Sequence, residues 1–405
     1  MDLLSFFVYS VFVPLIFFSL YIKRKKYWSI AIIVIILFTI LMGYRYNVGF
    51  DWMQYRDNFI LSKNGALAME RNYEPVYTAI NIYFSKHLGL HYWSLMLLEC
   101  FLYIFSIFLF CKLAKSNLVA AIACTLFYCI SFFNAINTSR EFLALSFMLI
   151  GNYLLISNET VWNKNNPALV RIVNVKNTLG LFFMLLSAST HTSMIIYPII
   201  FFVFIFYQPS KLNYKVLFVL YGVLFVLFKT NINNIADEIY SLMLFFSGSI
   251  EDERISIYIG RDFLDTSSRH YQSVSMLRSY FFATLDLIIL YPACVFYNWV
   301  DDAKLKYICL FAVVYILFAN TVLDFELFRR LLYAFLPFFS FMIGILCVQE
   351  HKKFRFKAFA IKFSSILYLF FAMKICMFIL DINWKTSNYG DFFKYKVIPN
   401  IESIL

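Results

Sequence analysis

The chain has 405 residues, 62% of them hydrophobic and only 15% charged, with a formal net charge of +11. A soluble domain averages about 45–50% apolar and about 25% charged. Composition therefore excludes an ordinary globular protein and indicates an all-α, polytopic membrane protein, whose repeated apolar runs suit a bilayer core of about 30 Å.

The first apolar run, Leu3 to Tyr21, lacks a basic start and a small-residue cleavage site, so it reads as a retained span. The cluster Lys23-Arg24-Lys25-Lys26 behind it marks the inner side and leaves the N-terminus outside. Further spans read at 27–43, 93–112, 118–136, 140–157, 178–190, 192–208, 213–229, 279–299, 304–322, 329–348 and 357–380, about 12 in all. The 178–208 stretch reads as two short helices or one broken one, each half being short for a full crossing.

Positive residues fix the orientation. Short basic loops at 23–26, 112–117, 158–177, 208–215, 301–306 and 350–357 all fall inside, and two long loops, 44–92 and 230–278, face outward together. Topology and the outer arginines account for the positive charge, so no nucleic-acid partner is implied. The chain reads as one membrane domain over 1–405, with no internal repeat of transporter type.

Both outer loops carry a segment suited to a helix lying on the membrane surface. Within Pro75 to Trp93, the residues Thr78, Asn81 and Ser85 make a polar stripe at i, i+3 and i+7 in an apolar setting. Within Asn234 to Phe246, Ile235, Ile239 and Leu242 share one side.

Arginine is distributed differently from lysine. Inner loops are basic mainly through lysine, whereas Arg45, Arg56, Arg71, Arg140, Arg254, Arg261, Arg269, Arg278, Arg329 and Arg330 map outside. Lysine suffices for topology, but the planar fork of arginine matches phosphate. An outer face rich in arginine predicts an anionic ligand there.

Several stretches could carry chemistry. Arg45, Asp51 and Tyr55, with Glu74 further on, sit just outside the second span; they form either a solvated loop of surface ion pairs or part of a site beside lipid, where unpaired charge is costly. In NTSREFLA (137–144), Thr138 and Glu141 fit a capping box, which makes Glu141 structural and places Arg140 in a first helical turn. A helix N-terminus plus a guanidinium suits phosphate; the bland alternative is an arginine snorkelling to the headgroups. In STHTS (189–193), His191 lies at a break in hydrocarbon, as a structural residue or as a base. Arg254, Tyr258 and Arg261 share a helical face by spacing, and Arg329 and Tyr333 are again four apart. Glu99, Asp286 and Lys374 lie within spans at a shared depth, which predicts a polar cavity opening outward or a structural Lys–acid pair. No P-loop, GxSxG, HExxH, tandem CxxC or DxD pattern occurs, so neither a metal nor a cofactor is expected. The eight cysteines lie in or at the ends of apolar runs and read as small buried hydrophobes.

The stretch RYNVGFDWMQYRDNF resembles the R-x-x-V-G-x-D-x-x-x-Y-x-x-x-F signature of the EpsG-like, Wzy-type polysaccharide polymerases, with Arg45, Val48, Gly49, Asp51, Tyr55 and Phe59 at the matching positions. EPVY (74–77), SREFLALSFML (139–149), STHTSMII (189–196) and RRLLY (329–333) follow in the order such a family would show. The resemblance implies a metal-independent glycosyltransferase of the bacterial inner membrane. It would join undecaprenyl-diphosphate-linked repeat units of O-antigen, capsule or exopolysaccharide on the periplasmic side. The implied partners are a lipid-linked donor and acceptor, membrane lipids and a chain-length regulator. In this scheme Arg140 and Arg329 or Arg330 hold the donor diphosphate, Arg254 and Arg261 assist, and His191 or Asp51 takes the acceptor proton. Tyr55 and Tyr258 stack on sugars, and Arg45, Glu74 and Tyr333 complete the substrate-binding set. An O-antigen ligase using the same donor, or a flippase, is the alternative.

Overall fold

The computed structural model describes residues 2–22, 27–64, 74–162, 175–230, 276–321, 331–348 and 363–396. Within them the regular structure is helical throughout. Six helices are long and apolar enough to cross a membrane: Leu3–Tyr21, Tyr92–Cys111, Asn117–Asn137, Ser139–Ile156, Tyr280–Trp299 and Ser364–Asn388. Four shorter apolar helices, Ser29–Gly43, Thr192–Phe204, Tyr214–Leu227 and Leu336–Val348, fall below that length. The all-α multi-pass reading therefore stands, and among the described residues six helices reach full crossing length.

The helices are numbered in chain order: α1 Leu3–Ser10, α2 Phe12–Tyr21, α3 Tyr27–Gly43, α4 Trp52–Lys63, α5 Pro75–Ile82, α6 Tyr92–Cys111, α7 Asn117–Asn137, α8 Ser139–Ile156, α9 Glu159–Trp162 and α10 Val175–Thr190. A single 3₁₀ turn, Thr192–Ile195, then leads to α11 Ile196–Phe206. After it come α12 Tyr214–Thr230, α13 Met276–Trp299, α14 Ala303–Ala319, α15 Leu336–Val348, α16 Phe363–Asn388 and α17 Gly390–Phe393. The break expected between 190 and 192 is present. The last long helix runs eight residues past its expected end at 380, and the span expected at 329–348 holds the helix Leu336–Val348, with residues 329 and 330 outside the described residues.

Several polar residues inside the apolar helices bond their own helix backbone. The hydroxyls of Ser131 and Ser146 donate to the carbonyls of Phe127 and Phe142, both at 2.7 Å, and the Asn152 amide donates to Met148 at 2.9 Å. Such four-residue back-bonds let a hydroxyl or amide sit where no water is available. Helices α8 and α10 approach through glycine: a Cβ on Gly151 would stand 2.7 Å from the carbonyl oxygen of Gly180. Small residues at such a crossing allow close backbone contact, which is how helices associate in lipid.

The chain divides into two compact units. The first comprises Met1–Tyr207 with Ser340–Leu405, the second Gln208–Phe339. Arg45, Asp51, Tyr55, Glu74, Arg140 and His191 belong to the first, and Tyr333 to the second.

The loop over 44–92 departs from its expected form. Its charged opening folds into α4, and α5 continues as a π-helical turn, Tyr83–His87, before Gly89 at φ 60° reverses the chain. The polar stripe on α5 does not face water. Asn81 and Ser85 are buried, at 0% and 1% exposure, with Asn81 donating to the Tyr77 carbonyl and Ser85 to that of Asn81. Residues that bond their own helix behave as part of an inward face, and the exposed side instead carries Tyr83, Lys86 and His87. The Asn234–Phe246 segment lies outside the described residues.

The signature loop is held by chain from far along the sequence. Tyr46 donates its N–H to the Lys396 carbonyl at 2.8 Å and Gly49 to that of Phe392 at 2.6 Å, while the Tyr395 hydroxyl reaches the Leu41 carbonyl at 2.8 Å. The Phe50 ring lies 4.9 Å from Phe392 and 5.1 Å from Phe393. On the other side the Phe50 N–H donates to the Asn137 side chain at 2.6 Å.

Gly49 is required at this seam. Its φ is +106°, and a Cβ there would lie 2.7 Å from the Ile136 carbonyl oxygen. Gly49→Ala is expected to destabilise the protein by about 1–3 kcal/mol, combining backbone strain with overpacking. A thermal unfolding curve of the purified variant in detergent checks this. An unchanged midpoint would contradict the required approach.

Candidate functional site

The site grows from the junction of α7 and α8. Only Thr138 separates the two helices, so its hydroxyl falls on the last turn of α7 and donates to the Asn134 carbonyl at 2.9 Å. It makes no side-chain bond to α8, and the expected capping box does not form. Glu141, freed from that role, sits buried in the first turn of α8, where the helix dipole favours a carboxylate. Its Oε1 lies 3.5 Å from Nε2 of His191.

Arg140 leaves the same turn toward Glu74 at the start of α5. Its Nη1 donates to Oε2 of Glu74 at 2.8 Å, with 17% and 11% of the two side chains exposed. The guanidinium stands 5.9 Å from the centroid of the Tyr77 ring, within cation–π range. The second oxygen of Glu74, Oε1, accepts the backbone N–H of Thr192 at 3.3 Å. Glu74 thus joins α8 to the turn after α10.

That turn orients His191. The residue caps the 3₁₀ turn, its Nδ1 accepting the N–H of Ser193 at 3.2 Å and lying 2.7 Å from Ser193 Oγ. A nitrogen that accepts an N–H bears the lone pair, so in the neutral ring the proton sits on Nε2, the atom facing Glu141. Tyr55 completes the floor: its ring is 6.2 Å from that of Tyr77, and both pack with Leu143 and Phe147 of α8.

The structure therefore gathers Tyr55, Glu74, Arg140 and His191 from four separate stretches. It also supplies Tyr77, Glu141 and Ser193, which the sequence reading did not select. Tyr77 and Ser193 lie inside the motifs EPVY and STHTS, and that adjacency was the one available signal for them.

Arg45 is not a surface residue. It is 3% exposed, its Nη1 donating to the Met42 carbonyl at 2.7 Å and to Cys100 Sγ at 3.2 Å, with Nη2 3.5 Å from the Ile136 carbonyl. The solvated loop of surface ion pairs does not describe it. With Glu99, Cys100, Tyr103 and Ser139 it lines a cavity with room for about one water molecule. Ser139 belongs to that cavity while its neighbours Arg140 and Glu141 face Glu74 and His191. Asp51 precedes α4 half-buried, and its side chain does not cap the helix.

In the second unit, Tyr333 is buried in a turn just before α15. There Asp286 accepts from the Tyr221 hydroxyl at 2.8 Å and the Asn320 amide at 2.6 Å. Arg254, Tyr258, Arg261, Arg329 and Arg330 lie outside the described residues. Among the described residues no group of three or more His, Cys, Asp or Glu could hold a metal ion. Seven of the eight cysteines are buried and Cys376 is exposed.

The same stretch of chain carries a family match. Residues 28–164 match the EpsG family. The matched segment contains Arg45, Gly49, Asp51, Tyr55, Glu74, Tyr77, Arg140 and Glu141, and stops short of His191. The EpsG resemblance read from the signature thus holds over roughly a third of the chain, and at that coarse level it supports a membrane protein of the polysaccharide-polymerase type. No curated protein and no solved structure matches the chain.

Proposed function

We propose that this protein is a glycosyltransferase that polymerises oligosaccharide repeat units carried on undecaprenyl diphosphate, at the outer face of a bacterial inner membrane. The observation that carries the reading is the convergence of Arg140 with Glu74, Tyr77 and the His191–Glu141 pair at the N-terminal turn of α8. A lipid diphosphate leaving group needs positive charge, and a guanidinium at a helix N-terminus supplies it. The acceptor is a sugar hydroxyl and needs a base, for which His191 and Asp51 are the candidates. Tyr55, half-buried, offers a ring for sugar with the buried Tyr77 packed behind it, and the long apolar helices provide a bilayer-level setting for two polyprenyl tails.

In the reaction the acceptor oxygen bonds to the donor's anomeric carbon. The bond from that carbon to the diphosphate oxygen breaks with its electron pair, and the acceptor proton passes to the base. Glu74 keeps Arg140 aimed. Arg45 sets the wall behind the signature loop by filling carbonyl acceptors in the buried cavity. Arg254, Tyr258, Arg261, Arg329, Arg330 and Tyr333 are proposed as further contributors on the donor side.

Deleting the protein and resolving the surface polysaccharide on a gel tests this function. A product one repeat long is the expected result. Long chains left unattached would make the protein a ligase, and loss of all product would make it a flippase.

A further inference from the structure

We propose that Ser193 relays the acceptor proton to His191, and that Glu141 is the positioning residue that stabilises the imidazolium so formed; this rests on the polymerase reading above. His191 is only 8% exposed, and both its ring nitrogens are engaged, Nδ1 by Ser193 and Nε2 by Glu141. Ser193 is half-buried and thus the more open of the two residues. An incoming hydroxyl reaches Ser193 Oγ before it reaches the imidazole.

Ser193 Oγ lies 2.7 Å from Nδ1, the nitrogen that carries the lone pair. A hydroxyl both donates and accepts, so Oγ can take a proton from one side while giving its own to Nδ1. The acceptor O–H bond breaks, its proton goes to Oγ, and the Oγ proton goes to Nδ1. The acceptor oxygen bonds to the anomeric carbon, and the diphosphate leaves with the electron pair of the broken bond. Serine ends unchanged and His191 ends as a cation, with an N–H on each nitrogen.

That cation faces a carboxylate. Glu141 is buried at 3.5 Å from Nε2, and a buried opposite charge is screened far less than one in water. Further charges at this turn include Glu74, bonded to the neighbouring Thr192 N–H, and Arg140, paired with Glu74. Glu141 is the carboxylate that faces Nε2 directly, so it bears on the charge state of the ring.

The test uses the full-length protein in lipid nanodiscs with a purified lipid-linked repeat unit. Ser193→Ala keeps the backbone N–H to Nδ1 and so keeps the turn. It is expected to lose about 10²–10⁴ in rate, and Ser193→Thr is expected to restore most of it. Glu141→Gln should move the acid limb of the pH–rate profile to lower pH, because an imidazolium without its carboxylate gives up its proton more readily. A purely structural Glu141 would lower activity without moving that limb. On wild-type protein, rate against deuterium fraction should bow, as two protons move in one step. A straight line, a fully active Ser193→Ala, or a glycosyl adduct on Ser193 in the intact mass would each overturn the relay. Failure of the wild-type protein to lengthen the repeat unit would instead overturn the polymerase reading.

Discussion

Arg140→Lys should cut turnover by about 10²–10³-fold and collapse the polymer ladder, with the protein still present at normal abundance. The lysine keeps the charge and can still reach Glu74, so a merely structural ion pair would survive. What it loses is the planar fork, which can present paired N–H groups to phosphate oxygens while one nitrogen stays on Glu74. The replaced pair is mostly shielded from water, at 17% and 11% exposure, so the partner carboxylate does not simply turn to solvent. Quantifying ladder length and rate with a lipid-linked repeat, alongside membrane abundance, decides the matter. Long polymer at the wild-type rate would reduce Arg140 to an anchor for the Glu74 segment.

His191→Asn should be comparably damaging. Asparagine is among the best N-caps, so it can preserve the 3₁₀ turn that His191 now caps through Ser193. It cannot take up a proton near neutral pH. If His191 serves as the base, activity falls by about 10²–10⁴-fold while the melting temperature holds. A fully active His191→Asn would transfer the role to Asp51. Asp51 does not cap α4, so Asp51→Asn removes no helix cap, and its activity is read beside its melting temperature.

The parts legible from sequence were the local ones. The long apolar helices follow from uninterrupted hydrophobic runs, and the break at His191 from a hydroxyl-rich gap in one. Arg140 fell in a first turn as expected because Thr138 and Ser139 mark the start of α8 whichever group caps it. Glu141 was misread because T-x-x-E describes a local bond that competes with a distant one, and the distant residue is His191. Asn81 and Ser85 looked like a water-facing stripe because spacing cannot show that each amide or hydroxyl bonds its own backbone. Arg45 looked exposed for a related reason. Its carbonyl acceptors lie on Met42 and Ile136, and nothing at residue 45 encodes the second of them. The seam with residues 392–396 pairs backbone groups and aromatic rings from distant parts of the chain, and residue type at one end does not name the other.

That seam also sets an order of events during synthesis. Leu41 and Tyr395 meet across 354 residues, so the loop bearing Asp51 reaches the membrane long before the strand of chain that closes it. The entropy of closing a loop grows only slowly with its length, so distance along the chain costs time more than stability. In that interval the N–H groups of Tyr46 and Gly49 turn to water, and Phe50 lacks the rings that cover it. A nascent chain can therefore hold the helices that carry Arg140 and His191 while the wall beside them is still unbuilt. Completion of that wall is in this way deferred until translation has passed residue 396.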